Sequence, residues 1–382
     1  MNRKLRMGMV GGGRGAFIGG VHRMAARLDG RIELVCGAFS STPEKSRESA
    51  ADLFLPSDRA YGDYKEMFER ESELPEGERM DFVSIVTPNF MHYPVAVAAL
   101  DAGFPVVCDK PITFTLDEAK ALGKKVDETG LLFCLTHNYT GYPLVKEARE
   151  LVSSGQIGAV RRVVVEYPQG WMATLLEATG QKQAGWRADP SKSGGSFTMG
   201  DIGTHCANLA EYITGLKIDT VCADLTTFVP GRKLDDDGSV LLRFENGAKG
   251  VLWASGIAVG EENALKIRIY GEKGSLEWEQ QEPNTLLVRW LDKPAELRRT
   301  STAFVGSAAA ANTRLPSGHP EGFIEAFANL YRNFAEALGE RLSGDTTAVG
   351  DFPDVHAGVR GMAFLDAVVR SSQSGQAWEK LG

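Results

Sequence analysis

The chain is short of cysteine, of long apolar runs and of positive charge, and each shortage removes a class of protein. Its five cysteines, Cys36, Cys108, Cys134, Cys206 and Cys222, stand singly in 382 residues. With no CxxC pair, neither a disulfide framework nor a zinc site is expected. They read as small buried hydrophobes in a reducing compartment, which points to the cytoplasm. No apolar run approaches the roughly 18 to 20 residues that a bilayer span needs. The opening "MNRKLRMGMVGGG" reaches glycine after a few apolar residues, so it reads as a first strand and not as a signal peptide. Lysine and arginine number 42 against 50 aspartates and glutamates, a formal net charge of -8, which argues against nucleic acid as the main partner. Internal repeats, low-complexity tracts and an arginine cluster for phosphorylated substrates are also missing.

What is present is an ordinary globular composition, 43% hydrophobic and 24% charged, over a length that suggests two domains. Up to residue 137 continuous apolar runs alternate with helical patterns. "LRMGMVG", "IELVCGAFS", "MDFVSIVTP", "FPVVCDKP" and "LLFCLTHNY" read as strands. Between them lie helices, one with Thr42 before Pro43, another opened by a Thr115–Glu118 capping box and stopped by Gly130. Such alternation predicts a doubly wound parallel sheet of Rossmann type over residues 1–137. From 138 to 382 the pattern becomes successive hairpins, one turning at Asn246-Gly247, which predicts a large, mostly antiparallel sheet in an α+β domain. Helices near 201–214 and 320–340 are expected to cover one face of it. A last helix at 354–372 is expected to pack back on the first domain.

"MVGGGRGAFIGG" places Gly11, Gly13 and Gly15, with Arg14 among them, between a strand and a helix. Glycines there allow a tight turn and let a pyrophosphate approach backbone N–H groups at a helix N-terminus. The spacing is loose, because the next glycine in helical sequence is Gly19, so an insertion in the loop is expected. The second strand ends in "AFSSTPEKSR" with no carboxylate at Ser40 or Ser41 to bond a ribose 2′-hydroxyl, while Lys45 and Arg47 follow. That favours NADP over NAD, with Glu44 keeping NAD in view.

Two further stretches carry polar groups that suit alcohol chemistry. Lys110 ends a strand, where ligands bind in open α/β sheets. "GDIGTH" sets Asp201 four residues before His205, on one face of a helix. Asp201 is either a helix N-cap or a proton-handling partner, and His205 either a core histidine or a base. A metal pair lacks a third ligand, so no metal is expected. The thirty or so residues between Tyr167 and Asp201 are long enough for a lid. There Trp171 and Trp186 could stack on a sugar ring and Arg187 could bond hydroxyls. His137 and His319 are further candidates for the substrate; His22 and His356 read as ordinary helix residues.

Taken in order, the glycine turn, "TPNFMH" (87–92), "CDKP" (108–111), "WRADPSKSGG" (186–195) and "GDIGTH" (200–205) resemble the Gfo/Idh/MocA oxidoreductases over essentially the full chain. The family usually has glutamate before its lysine; Asp109 stands here. The resemblance implies a nicotinamide-dependent dehydrogenase of a sugar, sugar derivative or inositol. It implies that Lys110 holds the reacting hydroxyl, that His205 is the general base and that Asp201 orients the proton. Thr87, Pro88, Asn89, His92 and Asp109 would lie on the cofactor side. A homodimer or homotetramer through the second sheet is also implied. Two alternatives stand beside it: a glycoside hydrolase or lyase that oxidises its sugar transiently, and a non-catalytic cofactor-binding sensor.

Overall fold

A computed structural model describes residues 3–382. The chain forms two compact units, one of residues up to Asn138 together with Ile324–Val359, the other of Tyr139–Phe323 with Arg360–Gly382.

The first unit begins β1 (Leu5–Gly11), α1 (Phe17–Leu28), β2 (Ile32–Ala38), α2 (Pro43–Asp52), α3 (Tyr64–Glu73), β3 (Phe82–Val86), α4 (His92–Asp101), β4 (Val106–Cys108), α5 (Leu116–Thr129) and β5 (Phe133–Leu135). All strand pairs are parallel, in the order β2-β1-β3-β4-β5. Every residue of β3 is buried, as a strand covered on both faces requires. The expected capping box forms: Thr115 Oγ1 accepts from Glu118 N at 3.2 Å and Glu118 Oε2 from Thr115 N at 3.2 Å. Thr42 does occupy the N-cap of α2, but its side chain makes no capping bond.

The second unit holds α6 (Pro143–Ser153), β6 (Val160–Pro168), α7 (Lys182–Arg187), α8 (Pro190–Ser193), α9 (Thr204–Thr214), β7 (Ile218–Thr226), β8 (Asp237–Phe244), β9 (Lys249–Ser255), β10 (Lys266–Gly271), β11 (Gly274–Glu279), β12 (Thr285–Trp290), β13 (Glu296–Arg299) and α10 (Ser307–Ala311). After them come α11 (Phe323–Leu342), α12 (Val355–Gln373) and β14 (Glu379–Lys380). The sheet has nine strands in the order β13-β12-β11-β10-β6-β9-β8-β7-β14 and is antiparallel except at β6–β9. Residues of β8 alternate between buried and accessible from Gly238 to Phe244, so one face is core and the other is not. The core face lies against α6 and α9.

One helix went to the other unit. The 320–340 segment was expected to cover the antiparallel sheet. Instead α11, from Ile324 on, groups with the parallel sheet, where Phe334 meets Phe82 at 5.0 Å between ring centroids. Its buried stripe of Phe327, Tyr331 and Phe334 is apolar enough for either sheet, so periodicity could not choose between them. The final helix is divided: α12 up to Val359 groups with the first unit, while Arg360 bonds Glu211 and Ile218 O in the second.

Candidate active site

In the first unit the glycine turn has the form that a pyrophosphate needs. Gly11, Gly12 and Gly15 adopt φ of +82°, +70° and +74°, open to glycine at no steric cost. At Gly13 a Cβ would lie 2.7 Å from both Phe39 O and Ser49 Oγ. A Cβ on Gly19 would collide with the Gly12 backbone, so Gly19 serves as the close-packing glycine between turn and helix. That resolves the loose spacing: the loop is longer than the usual fingerprint, and the third glycine sits inside α1. The N-cap of α1, Ala16, provides no side-chain oxygen, and its first turn has no acidic residue. Its leading N–H groups are therefore available to an anion. A cavity of about 380 Å³ opens beside the turn, lined by Gly13, Arg14, Arg23 and Ser49 among others. Close by, Thr87 Oγ1 is buried with no hydrogen-bond partner, and its methyl would lie 3.0 Å from a Cβ on Gly11. These features fit a dinucleotide.

Other candidates of this unit are placed less simply. Arg14 pairs with Glu48 at 2.6 Å and with Asp52, so two carboxylates already hold it. Ser41 and Lys45 are exposed and Ser40 half-buried. Among the residues expected on the nicotinamide side, Pro88 is exposed and Asn89 buried. His92 is also buried, with Nδ1 2.6 Å from Pro111 O and Nε2 2.9 Å from Thr87 O. Lys110 precedes Pro111 through a cis peptide. Burial acts to raise the Asp109 pKa, but His22, Lys110 and His92 outweigh it and bring it down to about 2. His137 is held down to about 3 by burial and then by the charge of Lys110, so it is neutral at ordinary pH.

In the second unit, Met199–Gly203 form one π-helical turn that runs into α9. Such turns are rare and recur at functional sites. Asp201 lies inside this turn and is not the N-cap; its N–H already bonds Phe197 O at 2.8 Å. The capping carboxylate is the buried Asp235, which accepts from Phe197 N and Met199 N at 2.9 Å each. That leaves the Asp201 carboxylate for Arg187, whose Nε is 3.1 Å away. The same guanidinium lies 4.4 Å from the Trp186 ring centroid. His205, 7% exposed, sets its ring edge-to-face on Tyr139 at 4.8 Å. The Tyr139 hydroxyl bonds that of Tyr167, which donates to Asn263 Oδ1 at 2.7 Å. Burial, eased by those hydrogen bonds, lifts the Tyr139 pKa to about 12, so it stays a neutral phenol.

Trp171 donates to Gln169 Oε1 at 2.8 Å and packs on a small core of Met172, Ala184, Phe197 and Leu234. Buried Arg232 bonds Met172 O, Thr174 O, Glu177 and Asp236, and so fastens the 168–200 segment to the sheet. His319 is exposed, its Nδ1 3.3 Å from Pro316 O, and the structure does not bring it to Asp201 or His205. Tyr139, Tyr167, Asn263 and Asp235 escaped notice in the sequence because no local motif marks a residue that acts only through distant partners.

The chain matches two family descriptions, "Oxidoreductase family, NAD-binding Rossmann fold" over residues 5–137 and "GFO/IDH/MocA C-terminal domain" over 145–277. It is 33% identical to an uncharacterised oxidoreductase, YfiI, of Bacillus subtilis, over 99% of this chain and 97% of that one. A solved oxidoreductase from Sinorhizobium meliloti is 46% identical, with a TM-score of 0.88 and 99% of each chain covered. An inositol dehydrogenase homolog from Azotobacter vinelandii, solved with NAD+ and again with NADH and myo-inositol, is 35% identical. In the NAD+ complex its TM-score is 0.94, with 100% of this chain and 98% of that one covered. With the glycine turn, the two sheets and both family halves in the same order along one chain, the protein belongs to the GFO/IDH/MocA family of NAD(P)-dependent oxidoreductases.

Proposed function

We propose that the protein is a dehydrogenase of an inositol or a closely related cyclic sugar, and that Lys110, Asp201 and His205 act on one secondary hydroxyl. The observation that carries this reading is the π-helical turn. It holds Asp201 and runs directly into the helix of His205, while Asp235, and not Asp201, caps the helix. A bound nicotinamide supplies the hydride acceptor, so the protein must supply the base. His205 takes the hydroxyl proton on one ring nitrogen as the carbonyl forms, and Tyr139 fixes the plane of that ring. The Lys110 ammonium steadies the developing alkoxide, and Asp201 accepts a hydrogen bond from the same hydroxyl. Trp171, Trp186 and Arg187 are proposed for the substrate's ring and hydroxyls, with His137 beside Lys110 as a neutral hydrogen-bonding group. The solved relative with myo-inositol supports the substrate class.

For the cofactor, we propose that NADP is accepted along with NAD. Ser40 and Ser41 leave room for a 2′-phosphate, and Lys45 lies exposed in the first turn of α2. Against a strong preference, Arg14 is held by carboxylates and the solved relative binds NAD+. Residues 1–137 would be the cofactor domain, and the second sheet the substrate and assembly domain of a cytoplasmic homo-oligomer.

The test is a panel of inositols and sugars with each cofactor, followed at the nicotinamide absorbance band. His205→Ala should lower kcat by about 10²- to 10⁴-fold, and Lys110→Ala by a comparable factor, with cofactor affinity kept. Full turnover in both variants would overturn the assignment. Product formed with no net change in cofactor would instead favour transient oxidation by a hydrolase or lyase.

A further inference from the structure

The turn that carries Lys110 is flanked on two sides by buried histidines. On one side, His22 of α1 is wholly buried. Its Nδ1 is 2.7 Å from Tyr331 Oη, which is 2.8 Å from Ser84 Oγ. Its Nε2 faces Asp109 Oδ1 at 3.8 Å. At that distance Nε2 is buried without a hydrogen-bond partner, and the Asp109 charge favours the tautomer with the proton on Nε2, in which Nδ1 accepts from the tyrosine hydroxyl. Tyr331 in turn accepts from Ser84. Asp109 Oδ1 also takes Lys110 N and Thr136 Oγ1, each at 3.0 Å. On the other side, His92 of α4 joins Thr87 O to Pro111 O. A neutral ring donates to only one of these two carbonyl oxygens at a time. Burial lowers its pKa, while Asp109 and the two carbonyls act to raise it. The residues before and after Lys110 are thus each bonded to, or faced by, a buried imidazole.

We infer that His22, with Tyr331 and Ser84 behind it, and His92 are positioning residues for Lys110. This rests on the reading of Lys110 as a catalytic group. The physical reason is reach. The Asp109 side chain is short, so its carboxylate stays at the end of β4, beside His22 and Thr136. Fixing Asp109 and Pro111 removes the backbone freedom of Lys110 between them. Misplacing a catalytic group by about 1 Å costs up to about 10²-fold in rate.

Three variants test it in the full-length protein. Tyr331→Phe removes one hydroxyl and keeps the ring, His22→Gln keeps a donor toward Asp109, and His92→Gln keeps an amide donor but loses the ring. Tyr331→Phe and His92→Gln should lower kcat by about 10- to 100-fold, with KM for NAD+ within about twofold in Tyr331→Phe and the kcat–pH profile displaced in both. His22→Gln should recover part of the rate lost in His22→Ala. Each loss should vanish when the variant is built into Lys110→Ala, because residues that act through one group are not additive. Losses that persist in full in that background, or a wild-type kcat in Tyr331→Phe and His92→Gln, would overturn the inference. Full turnover in Lys110→Ala alone would overturn the function of the lysine instead, so the two failures are distinguishable.

Discussion

At the scale of the residue, the histidines divide by surroundings and not by motif. His137 sits next to Asn138 at the end of β5, where burial and then Lys110 hold its pKa down to about 3. An unfolded histidine titrates near 6.5. As pH falls, the unfolded chain therefore takes up the proton first. The stability that depends on neutral His137 is complete above about pH 6.5 and is lost as pH falls from there toward 3. His92 is lowered as well and acts in the same direction. Replacing Lys110 by Met removes the second cause, so the His137 resonance should titrate at higher pH in Lys110→Met. Histidine ring NMR across pH 3 to 8 checks this, and an unmoved midpoint would contradict the role of the lysine charge. Denaturant midpoints over the same range should fall less steeply on acidification in the variant. The same contrast governs Asp201 and Asp235. Both are carboxylates near a helix start, but burial and two backbone N–H bonds make Asp235 the cap, and Arg187 claims Asp201.

At the scale of the element, α1 shows how a glycine-rich stretch divides its work. Gly19 and Gly20 are neighbours with opposite demands. The first meets the Gly12 backbone, while nothing lies within 4 Å of a Cβ on the second. Gly19→Ala should cost about 1 to 3 kcal/mol from overpacking and weaken cofactor binding by distorting the turn. Gly20→Ala should add about 0.5 to 1 kcal/mol of stability and leave binding alone. Thermal unfolding and cofactor titration of the pair check both, and a Gly19→Ala protein that binds normally would refute the packing role. The existence of α1 was legible from helical spacing, and the turn from its glycines. Which glycine closed the fingerprint was not legible, because that depends on the backbone that lies opposite. The π-helical turn is a similar case. "GDIGTH" reads as an ordinary helix start, and nothing in its spacing announces the extra residue per turn.

At the scale of the molecule, the nine-stranded sheet has, opposite the face that α6 and α9 cover, alternate residues exposed along β8. A row runs across it through paired strands: Leu241, Val251, Val164, Arg268, Glu277, Leu287 and Leu297. Leu241 is 48% exposed and Leu297 67%. Exposed leucines on a broad, ordered sheet fit a protein–protein contact. The proposed assembly through this face predicts that Leu241→Glu with Leu297→Glu yields monomers that keep their fold. Light scattering decides it; an unchanged mass would move the interface elsewhere.

The sequence by itself determined the two sheets and the order of their strands along the chain, because strand and helix periodicities and turn residues are local properties. It also marked the glycine turn, and singled out Lys110 and the Asp201–His205 pair as candidates. Only the tertiary structure decided that α11 serves the parallel sheet, that Asp235 caps in place of Asp201, and that His22 and His92 bracket the lysine turn. His22, Asp109 and Tyr331 lie far apart in the chain, and nothing in the spacing of one constrains another. Such partners are chosen by burial: a polar group enclosed away from water must find a complement, and only the folded chain specifies which one is within reach.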